Sequence, residues 1–211
     1  MRFYMTPGSC STGIHILLEE QERVFEAYVL NLPAGDGRKP AYLALNPKGT
    51  VPTLVLDDGT VLTEFAAMAW WLAHSQHKRP LLPEAPQDMA RALDIVSDVV
   101  GNIHGQGFTR IFTTDRYCLR DEDRDAVREQ GRQLVLQGFA RLATALERTD
   151  GPWCFDRFGA ADAAVFYVEF WADRIGLPLP AACRRHFDAM CERPAVRRVL
   201  AEEGYRIRAS A

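Results

Sequence analysis

The chain has 211 residues, 47% of them hydrophobic, with 25 Lys and Arg against 28 Asp and Glu. That is ample apolar material for a packed core in one large domain or two small ones, and a near-balanced charge without basic runs interleaved with aromatics argues against a nucleic-acid surface. The longest apolar stretch, Phe65 to Ala73, is far too short to span a bilayer, and no basic segment followed by an apolar one opens the chain, so no membrane contact and a cytoplasmic location are expected.

Arg2 to Met5 reads as a short apolar strand, Cys10 to Glu22 as a helix with Ile14, Leu17 and Leu18 on one face, and Phe25 to Leu30 as a second strand. A Gly- and Pro-containing loop, Leu32 to Pro40, leads through a short helix around Ala41 to Leu45 into the turn sequence Asn46-Pro47-Lys48-Gly49-Thr50. Val51 to Leu56 and Val61 to Thr63 flank Asp57-Asp58-Gly59, a strong local hairpin signal. A helix from Glu64 to His74 completes a β-α-β-α-β-β-α order, which predicts an α/β domain with a mixed sheet over residues 1–76. Residues 77–86 read as a linker, rich in proline and without periodicity. From 87 to 211 the pattern is helical throughout: Val135, Phe139, Leu142 and Leu146 share one face, as do Ala161, Val165, Val168 and Ala172. A second, all-α domain is expected there.

Chemistry is sought first at Thr6-Pro7-Gly8-Ser9-Cys10-Ser11, where three nucleophile-capable side chains meet a helix start. Unpaired N–H groups and the positive end of the helix dipole favour a thiolate or alkoxide at such a place. The alternative is that Ser9 or Ser11 caps the helix and Cys10 is a small buried hydrophobe. Five cysteines, widely spaced and without a C-x-x-C, argue against a disulfide framework, so a reactive Cys10 acts as a lone thiol. Pro52 sits where a strand begins. A cis Val51-Pro52 bond turns the Val51 N–H and C=O outward, free to pair with an extended peptide; a trans proline at a strand start is the alternative. Glu64 opens a helix, as a first-turn carboxylate favoured by the dipole or as the partner of a ligand ammonium beside the Phe65 N–H.

Together these places resemble the cytosolic glutathione S-transferases, most closely the bacterial beta class. The likeness is carried by Tyr4 to Ser11, Asn46 to Pro52, Leu62-Thr63-Glu64 and the helix-capping string Phe158 to Ala164. It implies a thioredoxin-like first domain that binds glutathione as co-substrate, with no further cofactor. The Val51 backbone before Pro52 would pair with the cysteinyl portion, and Glu64 with the Phe65 N–H would hold the γ-glutamyl end. A small apolar electrophile would lie between the domains near His104 and Phe108, and the family pattern implies a homodimer. A free thiol near pKa 8.5 is only roughly 3% ionised at pH 7, and lowering it by two units takes about 2.7 kcal/mol. In the beta class the residue at Cys10 can form a mixed disulfide with glutathione, which implies thiol transfer beside conjugation. Cys10 ranks first, Ser11 second and Ser9 third as the activating group. The alternative reading is a non-catalytic ligand-binding or interaction protein on the same scaffold.

The chain departs from the family pattern at three points. Phe65 stands where a small residue is usual. Gly159 occupies a capping position normally held by Ser or Thr, with Asp162 still able to reach back. An ungapped match leaves His104 one residue, about 100° of helix, from the expected place, so either the helix carries a local adjustment at Gly101 or Gly105, or His104 is not equivalent. Lys39 and Arg38 are candidates for the glycine carboxylate of glutathione. Trp70 and Trp71 are expected in packing positions. No metal is expected: His74-Ser75-Gln76-His77 and Cys183 to His186 each supply two ligands where a structural zinc takes four, and they are expected to interact with helix ends.

Overall fold

The computed structural model describes residues 1–75 and 79–206. The chain folds as two compact units, Met1–Leu81 with Met190–Ala211, and Leu82–Ala189. The first unit is built on a mixed four-stranded sheet in the order β2-β1-β3-β4, from β1 (Arg2–Met5), β2 (Glu26–Val29), β3 (Thr53–Val55) and β4 (Val61–Leu62). β2 runs parallel to β1, while β3 is antiparallel to both β1 and β4. The Asp57-Asp58-Gly59 hairpin forms as expected, with Gly59 at φ +87°.

Helices α1 (Ser11–Glu20) and α3 (Phe65–His74) pack against each other in this unit, and α2 (Pro40–Leu43) is a single turn started by proline. Ile14, Ile16, Leu17 and Leu18 of α1 and Met68 and Leu72 of α3 are buried with Phe3 and Leu54. Full burial of each such side chain stabilises the fold by about 1.5–3 kcal/mol. Trp70 departs from its expected place: it is 42% exposed and its ring lies tilted against that of His74 at 4.2 Å, because it falls on the outward face of α3. The pair His74 to His77 extends beyond the described residues.

The second unit is helical, with α4 (Pro86–Asp98), α5 (Thr109–Phe112), α6 (Arg124–Leu146), α7 (Ala160–Ile175) and α8 (Ala181–Glu192). Between α4 and α5 the chain winds as a π-helix over Val99–Phe108. A wider turn of this kind is a local adjustment such as the first of the two alternatives at Gly101 or Gly105 called for. Gly159 starts α7, and Asp162 Oδ2 accepts its N–H at 2.7 Å; that is the half of a capping box that needs no side chain on the first residue.

One boundary differs from the sequence reading. The last helix, α9 (Pro194–Glu202), belongs to the first unit and packs on α1. Arg193 donates to Glu20 Oε1 at 2.8 Å and Arg198 to Glu19 Oε2 at 2.8 Å. Helical periodicity says that α9 needs a buried face, not which face of the molecule supplies it. Among the described residues no helix is long and apolar enough to cross a membrane.

Candidate active site

The turn before α1 is tied by its own polar groups. The Ser11 N–H donates to Ser9 Oγ at 3.1 Å, and the two hydroxyls lie 2.6 Å apart. Ser11 Oγ also accepts the Thr6 N–H at 3.2 Å and lies 3.1 Å from the Thr6 carbonyl oxygen. Ser11 is fully buried and its hydroxyl closes the turn. Ser9 is half-buried and keeps part of its surface. Gly8 has φ +71°, and a side chain there would run into the ring of Tyr205.

Cys10 directs its thiol at the Val51 carbonyl oxygen, 3.4 Å away. Burial pushes this thiol up to about 12, with the Glu64 charge acting in the same sense. The N–H groups of Cys10 and Ser11 pull it down and do not prevail. The thiol is partly exposed; its desolvation opposes the pull of the helix start, and it is placed to donate to the Val51 carbonyl oxygen. Alkylation of Cys10 by iodoacetamide is therefore expected to accelerate about tenfold per pH unit through pH 9 without a plateau. Peptide-resolved mass spectrometry checks this, and a plateau near pH 7 would refute the raised thiol.

The Val51–Pro52 peptide is cis. The turn leading into it is braced by buried Asn46, whose Nδ2 donates to the Thr50 carbonyl oxygen and to Thr53 Oγ1, both at 2.9 Å. Glu64 precedes α3 as an exposed carboxylate paired with Lys48 Nζ, which also donates to Thr63 Oγ1 at 2.9 Å. Phe65, the first residue of α3, is only 4% exposed. Its ring lies in the core, so the crowding that a bulky residue threatened at this position does not arise. Lys39 is exposed and pairs with Asp36 at 2.7 Å, and Arg38 is exposed beside it.

His104 lies on the π-helix of the second unit, within an aromatic cluster. Its ring meets Trp171 edge-on at 4.8 Å, and its Nδ1 is 3.3 Å from the Tyr167 hydroxyl. Phe108 and Phe112 complete the cluster against Trp171 at 5.2 and 5.5 Å. Desolvation lowers the His104 imidazole to about 4, so it is neutral at pH 7.

Among the described residues two groups of potential metal ligands come together. Cys154, Asp162 and His186 are all buried, but both nitrogens of His186 already face carboxylates, Glu169 Oε2 at 2.7 Å and Asp162 Oδ1 at 3.2 Å. The second group is His15, Glu19 and Glu202. A residue missed in the sequence reading stands beside it. Glu203 is buried and its Oε2 accepts the Gly8 N–H and the Thr12 hydroxyl, each at 2.7 Å, while Oε1 lies 3.0 Å from His15 Nδ1. The available signal was two glutamates at a helix C-terminus, where the dipole disfavours negative charge and a partner elsewhere is required.

A mixed sheet of this order with a thiol against the carbonyl before a cis-proline, together with a second, helical unit, is the two-unit architecture of a transferase class. The family models for the glutathione S-transferase N-terminal and C-terminal domains match residues 8–75 and 125–202. The chain is 34% identical to glutathione S-transferase GstA of Escherichia coli O157:H7 over 97% of this chain and 99% of the relative. Among solved structures, a glutathione S-transferase from Xylella fastidiosa superposes with a TM-score of 0.87 at 26% identity, covering 97% of this chain and 99% of that one. A maleylacetoacetate isomerase from Methylobacterium extorquens AM1, with bound malonate and glutathione, superposes with a TM-score of 0.85 at 28% identity, covering 98% and 100%. The chain belongs to the glutathione S-transferase family and is an enzyme of that class.

Proposed function

We propose that this enzyme joins the thiol of glutathione to small apolar electrophiles, with Cys10 as the group that serves the glutathione sulfur. The contact of Cys10 Sγ with the Val51 carbonyl oxygen, across 41 residues of sequence, carries this reading. It brings the thiol and the backbone suited to a cysteinyl group to one place. A thiol held protonated is a donor, and on glutathione binding it turns from Val51 to the ligand sulfur and stabilises a thiolate there. Glu64 exchanges Lys48 for the γ-glutamyl ammonium beside the backbone of Phe65, and Lys39 exchanges Asp36 for the glycine carboxylate. His104, neutral among aromatic rings, offers an apolar surface to the electrophile. Thiol transfer through Cys10 is the slower activity in this scheme, because little thiolate is present. Homodimerisation and a cytoplasmic location complete the reading.

Likeness to the isomerase favours a second substrate class, in which the same thiolate adds to a cis double bond, the bond rotates and glutathione leaves unchanged. The test is retention on immobilised glutathione, followed by turnover with a chlorodinitrobenzene, a glutathione mixed disulfide and a maleyl diacid. Binding and conjugation are expected. Cys10→Ala should lower kcat/KM by roughly ten- to hundredfold, the worth of one hydrogen bond to a charged group. Unchanged conjugation in that variant would transfer the role to Ser9 or Tyr4, and failure to bind glutathione would sink the proposal.

A further inference from the structure

Between Val99 and Phe108 the chain winds as a π-helix, a run of ten residues in an element that occurs mostly as single turns. Side chains supply what the backbone pattern leaves undone. In an α-helix the Gly105 carbonyl would take the Thr109 N–H, four residues on. Here that N–H reaches the His104 carbonyl oxygen, five residues back, and Thr109 gives Gly105 its hydroxyl instead, at 2.6 Å. Arg110 serves the next carbonyl: its Nη1 donates to the Gln106 carbonyl oxygen at 2.6 Å and to Gln106 Oε1 at 2.9 Å. Glycine suits position 105 of the wide turn, because a Cβ there would stand 2.9 Å from the Val100 carbonyl oxygen.

The segment after α5 adds a second hydroxyl. Tyr117 Oη lies 2.6 Å from Thr109 Oγ1 and 3.4 Å from the Gly105 carbonyl oxygen. Thr109 spends its proton on Gly105, so Tyr117 donates to Thr109, and the two hydroxyls form a relay that ends on the Gly105 carbonyl. Each bond of such a chain polarises the next. The Arg110 guanidinium covers the Tyr117 ring at 4.6 Å and keeps the phenol over the turn. The relay thus grips the residue that follows His104, whose ring stands edge-on to Trp171, and Phe108 at the end of the π-helix meets the same indole. Return of the wide turn to α geometry shifts the register by one residue, about 100° of helix, and carries His104 out of the aromatic cluster.

We propose that Thr109 and Tyr117 are positioning residues, whose hydroxyl relay locks the π-register and so holds His104 and Phe108 as the wall met by the electrophile, resting on the reading given above that places this substrate beside His104. Neither hydroxyl touches the reacting atoms in this scheme. Their effect falls on the second substrate, because glutathione is held by the first unit in the same reading.

The test compares the parent with Thr109→Val, Thr109→Ser and Tyr117→Phe in the full chain. Histidine ring signals, followed by nuclear magnetic resonance without substrate, report on His104, assigned by the signal lost in His104→Gln. In the parent the imidazole is expected to titrate at about 4. In Thr109→Val and Tyr117→Phe its midpoint should climb toward about 6.5 as the ring leaves the cluster for water. With a chlorodinitrobenzene varied at saturating glutathione, KM for the electrophile should rise about three- to tenfold in both variants, the worth of one neutral hydrogen bond. KM for glutathione should stay at the parent value, and Thr109→Ser, which keeps the hydroxyl, should behave as the parent. Tyr117 is 38% exposed, so Tyr117→Phe carries the test if Thr109→Val disturbs the fold. An unmoved His104 midpoint in Tyr117→Phe would overturn the latch. A displaced His104 with both KM values unchanged would overturn its role toward the electrophile and the placement of that substrate beside it. The ring signals need no turnover, so they judge the latch even if conjugation fails.

Discussion

Glu203→Ala is expected to lower the melting temperature by about 10 °C and to reduce turnover with it. Glu203 lies far from Cys10 in sequence, yet its carboxylate takes the Gly8 N–H, the Thr12 hydroxyl and His15 Nδ1. Its side chain is completely buried. Removing one partner of such a buried charged network costs about 3–5 kcal/mol, because the remaining groups stay desolvated without a partner. For a chain of this size each kcal/mol is worth about 2–4 °C. Gly8 and Thr12 flank the nucleophile turn, so loss of this strap also loosens the position of Cys10. Scanning calorimetry and steady-state turnover check this. Glu203→Gln, which keeps one acceptor oxygen, should fall between; a Glu203→Ala protein that melts with the parent would show the strap to be dispensable.

The second large effect is a fall in stability between pH 7 and pH 10 that depends on His186. Burial alone lowers an imidazole, but Glu169 and Asp162, one on each ring nitrogen, raise His186 to about 10. A histidine with a folded pKa above its unfolded value contributes stability fully below about 6.5, and that contribution is lost as pH rises toward 10. Burial also raises the Glu169 carboxyl, with the Asp162 charge adding to it. A carboxyl raised in the folded state likewise loses stability as pH increases, so the two groups act in one direction. The slope from a single group is at most about 1.4 kcal/mol per pH unit.

His186→Phe should remove the His186 share of the slope and leave that of Glu169. It should also destabilise the chain by roughly 3–5 kcal/mol at neutral pH, since two buried carboxylates lose their cation. Asp162 is doubly committed, because it also accepts the N–H groups of Cys154 and Gly159 at the start of α7, each at 2.7 Å. Melting temperatures of parent and variant across pH 6–10 decide the matter: the parent should lose more than the variant as pH rises toward 10, and parallel slopes would reject the His186 contribution.

What could be read in advance was local. The strand and helix order of the first unit, the Asp-Gly hairpin, the turn at Cys10, the proline after Val51 and the acid at Glu64 each announce themselves within a few residues through periodicity, turn chemistry or helix-end preference. The π-helix was half legible, as a register conflict around Gly105 that straight α-helix could not satisfy. His186 was expected near a helix end and does face Asp162 at the start of α7.

Burial and long-range partners were not local properties, and there the fold had the last word. The fold sets the Cys10 sulfur against the Val51 carbonyl oxygen, where desolvation opposes the pull of the helix start. Ser11, one of three adjacent candidates, is tied to the backbone of Thr6. Phe65 found the core. The return of α9 to α1 moved the C-terminal segment to the first unit and supplied Glu202 and Glu203 to His15. The residue pattern of the chain dictates which segments must bury a face and which side chains are chemically able. Chain closure over nearly 200 residues selects the partners, since an amphipathic helix or a buried charge states a need that many surfaces could meet and only one packing does.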